Sequence, residues 1–278
     1  MRLLDVAKKF NNMVCVDAYT RYELFNGQLG LYDDNKRDSE TSERRVLSLS
    51  ADEVIPTRRA IYAAGKTWIV GHSNPDDYRG STIRVGYVIQ EAPFLSQVRT
   101  LAQACLNQPG FTAYAGRAWV KDIAYSQQDS EMIPLHHIHF ASNEAITTDL
   151  LVTYEGRLNL VRSLNYGAGG TIVTACEQMQ DPSIETGSLL IGTYNPATGG
   201  LTGTPAAVRV VRMRWQSLFA YRTGAAPKFE PGDIQIAISK VSANVVAGAT
   251  ITLSDGAWRI ASVIGEGSVW LCRATRYA

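Results

Sequence analysis

The sequence predicts an all-β protein that contains one or two short helices. From residue 13 onward, stretches rich in valine, tyrosine, leucine and isoleucine are broken about every eight to twelve residues by glycine, asparagine, aspartate or proline. This is the pattern of short antiparallel strands. A second observation is a series of strand, glycine turn, strand, second turn and third strand that recurs three times. Only residues 1–10 and 93–106 have apolar side chains at helical spacing.

Length and composition indicate a folded protein of more than one module. The chain has 278 residues, 45% hydrophobic and 19% charged, which is ordinary for a globular protein. Its 27 lysines and arginines nearly balance 26 aspartates and glutamates, which argues against tight binding of nucleic acid. Four widely spaced cysteines without a CxxC pair predict reduced, packed thiols in a reducing compartment. We expect no secretory signal, no transmembrane helix and no membrane partner.

Changes of texture along the chain predict four segments. Residues 1–92 are expected to form an N-terminal β-barrel module with a long polar loop at residues 33–44. Residues 93–110 are expected to form a helical linker, because a proline opens the helical run and a Pro-Gly pair closes it. Residues 111–224 are then a β-rich middle module. Residues 225–278 follow a proline- and glycine-containing linker and form a second small β-barrel.

The recurring pattern places a glycine turn before a large apolar residue. Its copies begin near residues 59, 149 and 249. The residues expected to define the fold are Gly65 and Trp68 in the first copy, Gly156 and Leu158 in the second, and Asp255, Gly256 and Trp258 in the third. Glycine in a two-residue turn supplies the positive φ of a type I′ hairpin, and the large residue after it should point into a core. Three short strands cannot bury a face alone, so each copy must curl into a small barrel or pack on its neighbours.

Residues 231–277 carry the most specific wording in the sequence. They combine Gly232-Asp233, a strand ending in Asp255-Gly256, and a strand that begins around Trp258. This "GD…DG..W" wording resembles the head-closure or stopper proteins of tailed-bacteriophage necks, which are small β-barrels. The first copy looks similar. The resemblance implies SH3-like β-barrel modules flanking the β-rich middle module.

The resemblance implies a structural virion protein and no enzymatic step. It implies a homo-oligomeric ring, six- or twelve-fold, in the neck between the portal or connector and the tail, assembled in the host cytoplasm. Such a ring lines the channel and contacts passing double-stranded DNA transiently. Near-neutral charge is compatible with this role, because a basic lumen would retard a polyanion. The middle module is left without an assigned role, and collar decoration or a tail-facing contact is our hypothesis. A tail-terminator, baseplate or minor capsid protein is the alternative within the structural class.

The histidines of segment 135–139 are the candidate for metal chemistry. On a strand, His137 and His139 share a face while His136 points away. The remaining histidine, His72, is distant in sequence, and Glu131 or Glu144 would have to be recruited to complete a site. Half-buried strand histidines are the simpler interpretation, so we predict no catalytic residue, metal or cofactor. The alternative from another class is a small metal-dependent hydrolase or a carbohydrate-binding β-protein that uses this strand.

Arginines alternate with apolar residues in the predicted strand at residues 208–214. Arg209 should face one way, and Arg212 and Arg214 the other. This alternation would present a basic stripe to a phosphate backbone or to acidic residues of a partner subunit. A solvated strand face is the alternative interpretation.

Overall fold

A computed structural model describes residues 12–31, 44–50, 53–73, 84–118, 135–166, 170–179, 183–197, 200–213 and 232–276. These residues form almost only β-structure, which confirms the predicted fold class. They form three closed six-stranded barrels, one more than the two that were expected. The loop predicted at residues 33–44 lies outside the described residues, apart from its last residue, which begins a strand.

Barrel 1 is built from the first six strands of the chain. They are β1 (Asn12–Asp17), β2 (Glu23–Leu31), β3 (Arg44–Ser50), β4 (Ala60–Ala63), β5 (Lys66–Ser73) and β6 (Arg84–Glu91). Around the barrel the order is β1-β2-β3-β6-β5-β4, and antiparallel pairing of β4 with β1 closes it.

Barrel 2 repeats this order with the next six strands. They are β7 (Phe94–Thr100), which is followed by helix α1 (Leu101–Cys105), β8 (Phe111–Arg117), β9 (Leu135–Ala141), β10 (Leu150–Tyr154), β11 (Arg157–Tyr166) and β12 (Thr171–Gln178). The order β7-β8-β9-β12-β11-β10 is closed by pairing of β10 with β7.

Barrel 3 has the same order with one insertion. Its elements are β13 (Ile184–Leu190), the hairpin strands β14 (Thr193–Asn195) and β15 (Gly200–Thr202), β16 (Ala206–Met213), β17 (Ile234–Ser239), β18 (Thr250–Leu253), β19 (Gly256–Glu266) and β20 (Val269–Arg276). The barrel order is β13-β16-β17-β20-β19-β18, and β14 and β15 form a separate two-stranded sheet. One topology therefore occurs three times in tandem. The predicted three-strand repeat is the second half of each copy.

The chain divides into two compact units. Unit 1 comprises the described parts of Met1–Ser96, Thr112–Thr148 and Val161–Glu177. Unit 2 comprises the described parts of Gln97–Phe111, Asp149–Leu160 and Gln178–Ala278. Barrel 1, β8 and β9 thus lie in unit 1 apart from one terminal residue of β8, while α1, β10 and barrel 3 lie in unit 2.

The predicted boundary near residue 225 differs from the sheet boundaries. Strands β13 and β16 precede that boundary, yet β16 pairs with β17 and β13 pairs with β18. The segment predicted as the middle module therefore supplies strands to two barrels. A six-stranded barrel needs all of these strands, because the last four alone would leave open sheet edges.

The helix predicted over residues 93–106 is wrong for its first half, where β7 runs from Phe94 to Thr100. Ser96 and Val98 are buried while their neighbours are exposed or half-buried, which is the alternation of a strand, and β7 pairs with β10. The helix begins only after Thr100. The Thr100 hydroxyl accepts a hydrogen bond from the Gln103 backbone N–H at 3.1 Å, and the Gln103 side chain accepts one from the Thr100 N–H at 2.9 Å. This capping box fixes the start of α1.

Two of the three repeat turns have the expected geometry. Ala64-Gly65 and Glu155-Gly156 connect paired strands, and all four residues have positive φ, as a type I′ turn requires. In the third copy the two turn residues are instead Ser254 and Asp255. Gly256 follows them as the first residue of β19, with φ of 129°. The prediction of a two-residue Asp255-Gly256 turn is therefore wrong, because only Gly256 adopts a positive φ there.

The two repeat tryptophans occupy the same inner position of their barrels. Trp68 is 2% exposed and pairs with Ile61, and Trp258 is 3% exposed and pairs with Ile251. Each is the third residue of the fifth strand. Both belong to clusters that fill their barrels, as predicted.

Leu158 is not the equivalent of these tryptophans. The third residue of β11 is Asn159, which is 3% exposed and pairs with Val152. Its amide nitrogen donates to the Arg157 carbonyl at 2.9 Å. Leu158 faces the other side of the strand and packs on a cluster outside the barrel. A one-residue shift of register thus moves the predicted core residue to the outer face.

In each barrel, the cross-strand pair next to the inner position faces outward. Its surroundings differ among the three barrels. In barrel 1, Ala60 and Ile69 pack in unit 1 against residues of the β1–β2 connection, β8 and β9. In barrel 2, Leu151 and Leu160 pack in unit 2 with α1 and with outward residues of barrel 3. In barrel 3 the pair is Thr250 and Arg259, and Arg259 is exposed. The same face is therefore apolar in barrels 1 and 2, where it is covered, and polar in barrel 3.

Replacing Trp68 with alanine should lower the free energy of unfolding of unit 1 by about 3–5 kcal/mol, because a large side chain is removed from a filled barrel. Urea denaturation followed by far-ultraviolet circular dichroism measures this. The matched control is Val54→Ala, at a residue that is 78% exposed, with an expected change within about 0.5 kcal/mol. Equal effects of the two substitutions would contradict the assigned core.

Leu160→Ala should destabilise unit 2 by about 2–5 kcal/mol, since Leu160 is fully buried between α1 and barrel 3 residues. Arg259→Ala, at the equivalent register position of barrel 3, should change stability by no more than about 0.5 kcal/mol. Thermal unfolding of both variants tests the pair. A cost at Arg259 as large as that at Leu160 would contradict the assignment of this position as buried in barrel 2 and exposed in barrel 3.

Candidate functional site

Arg212 lies at the rim of barrel 3 and is held by acidic residues of the same barrel. Its guanidinium donates to the Asp255 carboxylate at 2.7 Å and lies 3.5 Å from a Glu185 oxygen. The group also sits 5.3 Å from the centroid of the Trp258 ring, whose indole N–H donates to Asp255 at 2.9 Å. Arg276 lies 5.9 Å from the same ring. The positive charge of Arg212 is therefore compensated inside the barrel rim.

This rim also determines the ionisation of Asp255. Partial burial disfavours the carboxylate, but the hydrogen bonds from Arg212 and Trp258 outweigh it and hold the pKa of Asp255 below its ordinary value. The stabilisation of the folded state by this pair is present above the ordinary carboxylate pKa and is lost as the pH falls through the lowered value. Asp255 thus acts as a brace between a turn, an aromatic core residue and β16.

Of the other two arginines in the predicted basic stripe, only Arg209 is among the described residues. Arg209 faces the opposite side of β16, as predicted from the alternation. It lies close enough to Cys105 of α1 for its charge to favour the thiolate. Arg214 lies outside the described residues.

All four cysteines are buried and free. Burial raises the pKa of Cys15 and Cys105 to about 11 and that of Cys176 and Cys272 to about 12. Hydrogen bonds, such as the 3.1 Å contact between Cys176 and the Thr174 hydroxyl, oppose the effect without cancelling it. A thiol that stays protonated at neutral pH is a poor nucleophile, so these side chains serve packing.

We expect the four thiols to resist iodoacetamide in the folded protein at pH 8, because almost none of the thiolate forms below a pKa of about 11. Mass spectrometry should show no adduct after a treatment that modifies all four cysteines in urea. Rapid labelling of any one cysteine in the folded chain would contradict the burial described above.

The histidine strand is β9, and its side chains differ in environment. His136 is exposed, His137 is half-buried, and His139 is fully buried with Nδ1 2.8 Å from the Arg117 carbonyl oxygen. His139 pairs with Gly116, where a Cβ would lie 2.5 Å from the imidazole. The ring therefore fills space that only glycine leaves open.

His72 and Glu144, two of the residues considered for completing a metal site, contact other residues of the fold. The His72 ring abuts Gly170, where a Cβ would lie 2.4 Å from the imidazole. Glu144 accepts hydrogen bonds from Tyr19 at 2.7 Å and Arg58 at 3.1 Å, and burial raises the pKa of Tyr19. Glu131 lies outside the described residues. Within the described ranges, no group of three or more histidine, cysteine, aspartate or glutamate side chains is placed to hold a metal ion.

Unit 2 contains an open cleft of about 930 Å³ that the sequence did not indicate. Two arginines, Arg99 of β7 and Arg157 of β11, line it together with the apolar residues Leu158, Met179 and Ile184. The remaining lining residues are Thr153, Gly156, Gln178 and Ser183. Arg99 and Arg157 are distant in sequence and line the same cleft because β7 and β11 both pair with β10. No spacing of residues in the sequence predicts this.

In the part of the chain that the structure describes, no helix has the length and apolar character needed to cross a membrane. Comparison with known proteins gives no relative: no family model, curated protein or solved structure matches this chain.

Proposed function

We propose that the chain is a structural subunit of a tailed-bacteriophage virion, forming a homo-oligomeric ring in the neck between portal and tail. The ring lines the path of double-stranded DNA and performs no chemical step. The observation that supports this most is the placement of the head-closure-like motif. Its parts occupy strands 3 to 6 of a single closed barrel.

Each motif residue has a structural task in that barrel. Asp233, just before β17, is 9% exposed and accepts a hydrogen bond from Arg273 of β20 at 2.7 Å. Asp255 holds Trp258 and Arg212 at the rim, and Gly256 supplies the positive φ that starts β19. Because the motif residues form turns and stabilise the closed barrel, they favour an assembly module over a catalytic one.

Threefold use of one barrel also favours a scaffold role. The outer face of barrel 1 carries Ala60 and Ile69, which pack on β8 and β9. The outer face of barrel 2 carries Leu151 and Leu160, which pack with α1 and residues of barrel 3. Closed barrels with buried outer contacts can hold loops in place for docking to neighbouring subunits.

The inserted β14–β15 hairpin is our candidate for a subunit contact. Among the described strands, β14 and β15 pair only with each other, and a strand at a sheet edge is suited to strand addition by a neighbour. Its base needs glycine, because a Cβ on Gly192 would lie 2.1 Å from the Thr202 carbonyl oxygen. Ile191, beside it, is 38% exposed and offers an apolar contact.

The charge distribution fits a channel that DNA passes without arrest. The formal net charge is +1, and Arg212 is compensated by Asp255 and Glu185. A net charge this small favours the release of few counterions, and hence weak, transient contact with DNA.

The mass of the purified native assembly tests this proposal. Analytical ultracentrifugation and native mass spectrometry over a wide concentration range should give one closed species of six or twelve copies. Ile191→Lys should weaken that species, whereas Val54→Lys, at another exposed apolar residue, should leave it intact. A strict monomer at every concentration, or a ring of different symmetry, would overturn the neck assignment.

A further inference from the structure

We propose that the cleft of unit 2 is a docking site for an acidic, apolar peptide segment of a partner protein. The inference does not depend on the neck assignment, since it rests only on the residues that line this cleft.

The two cations of the cleft are held in place. The aliphatic stem of Arg99 packs against Gly110, where a Cβ would lie 2.8 Å from the arginine Cγ and 1.7 Å from the Val98 carbonyl oxygen. Arg157 donates to the Gln178 amide oxygen at 3.2 Å. A positioned guanidinium loses less conformational freedom when it binds, so both groups are ready to grip carboxylates through paired N–H donors.

The cleft presents positive charge without a matching carboxylate among its described lining residues. Gln178, Thr153 and Ser183 add only neutral hydrogen-bonding groups. Charge complementarity therefore calls for an anionic occupant.

The apolar lining residues of the cleft favour a peptide over a nucleic acid as the occupant. Met179 belongs to the buried cluster below α1, and Leu158 and Ile184 pack against that cluster while still facing the cleft. The combination of these apolar side chains with two arginines suits a segment that alternates carboxylates with leucine-like side chains. A phosphate backbone could pair with the arginines but would leave the apolar side chains exposed to water. The open shape and the volume of about 930 Å³ also suit an extended segment better than a small molecule enclosed on all sides.

Fluorescence anisotropy with a labelled peptide of alternating glutamate and leucine tests the site on the full chain. The wild-type chain should bind it, and the double variant Arg99→Ala, Arg157→Ala should lose affinity by about tenfold or more, because charge-assisted hydrogen bonds are removed. Leu158→Asp should weaken binding as well. Arg259→Ala, which removes an exposed arginine outside the cleft, should bind as the wild type does.

The single variant Arg157→Ala keeps the test valid if the double variant fails to fold, since Arg157 is exposed. No binding to the wild type, or equal binding by the wild type and the arginine variants, would overturn the proposal. Displacement of the peptide by a DNA duplex of equal charge, but not by unlabelled peptide, would overturn it in favour of a nucleic acid. Ring formation is measured separately, so a negative result here leaves the neck assignment standing or falling on its own test.

Discussion

The structure depends on closing six short strands into a barrel, three times over, with one inner side chain placed just after a tight turn. Strands of four to eleven residues cannot bury a face alone. Closure removes both sheet edges and gives the inner side chains a common interior. The turns before β5 and β11 and the glycine that opens β19 set the register, so that Trp68, Asn159 and Trp258 arrive at the same inner position. A slip of one residue would turn each of them outward.

Once register is set, the outward residues decide what each barrel can join. Ala60 with Ile69, and Leu151 with Leu160, make two faces apolar, and both faces are buried in their units. At the same place barrel 3 carries Thr250 and Arg259, and Arg259 is exposed. At this register position the face is therefore buried where its pair is apolar and exposed where its pair is polar.

Charged residues likewise differ in whether they pair within the fold or lie at a cleft without an opposite charge. Arg212 and Glu144 look available in the sequence, yet the structure gives them to Asp255, Glu185, Tyr19 and Arg58 as internal braces. Among the described residues that line the unit 2 cleft there is no carboxylate to pair with its two arginines, and apolar side chains lie beside them. The proposed docking site thus lies where the cleft lining leaves two arginines without a carboxylate, and not in the segment where arginine is most frequent in the sequence.

Periodicity and turn chemistry were enough to predict the all-β class, the three meanders, and the inner placement of Trp68 and Trp258, because these features are local. The sequence could not reveal that Asn159, and not Leu158, takes the inner position in barrel 2, since hydrophobicity favours leucine and only strand pairing sets the register. Nor could it reveal that β13 and β16 complete barrel 3, or that Arg99 and Arg157 share a cleft. Those outcomes depend on pairing between strands far apart in the chain, which local patterns do not encode.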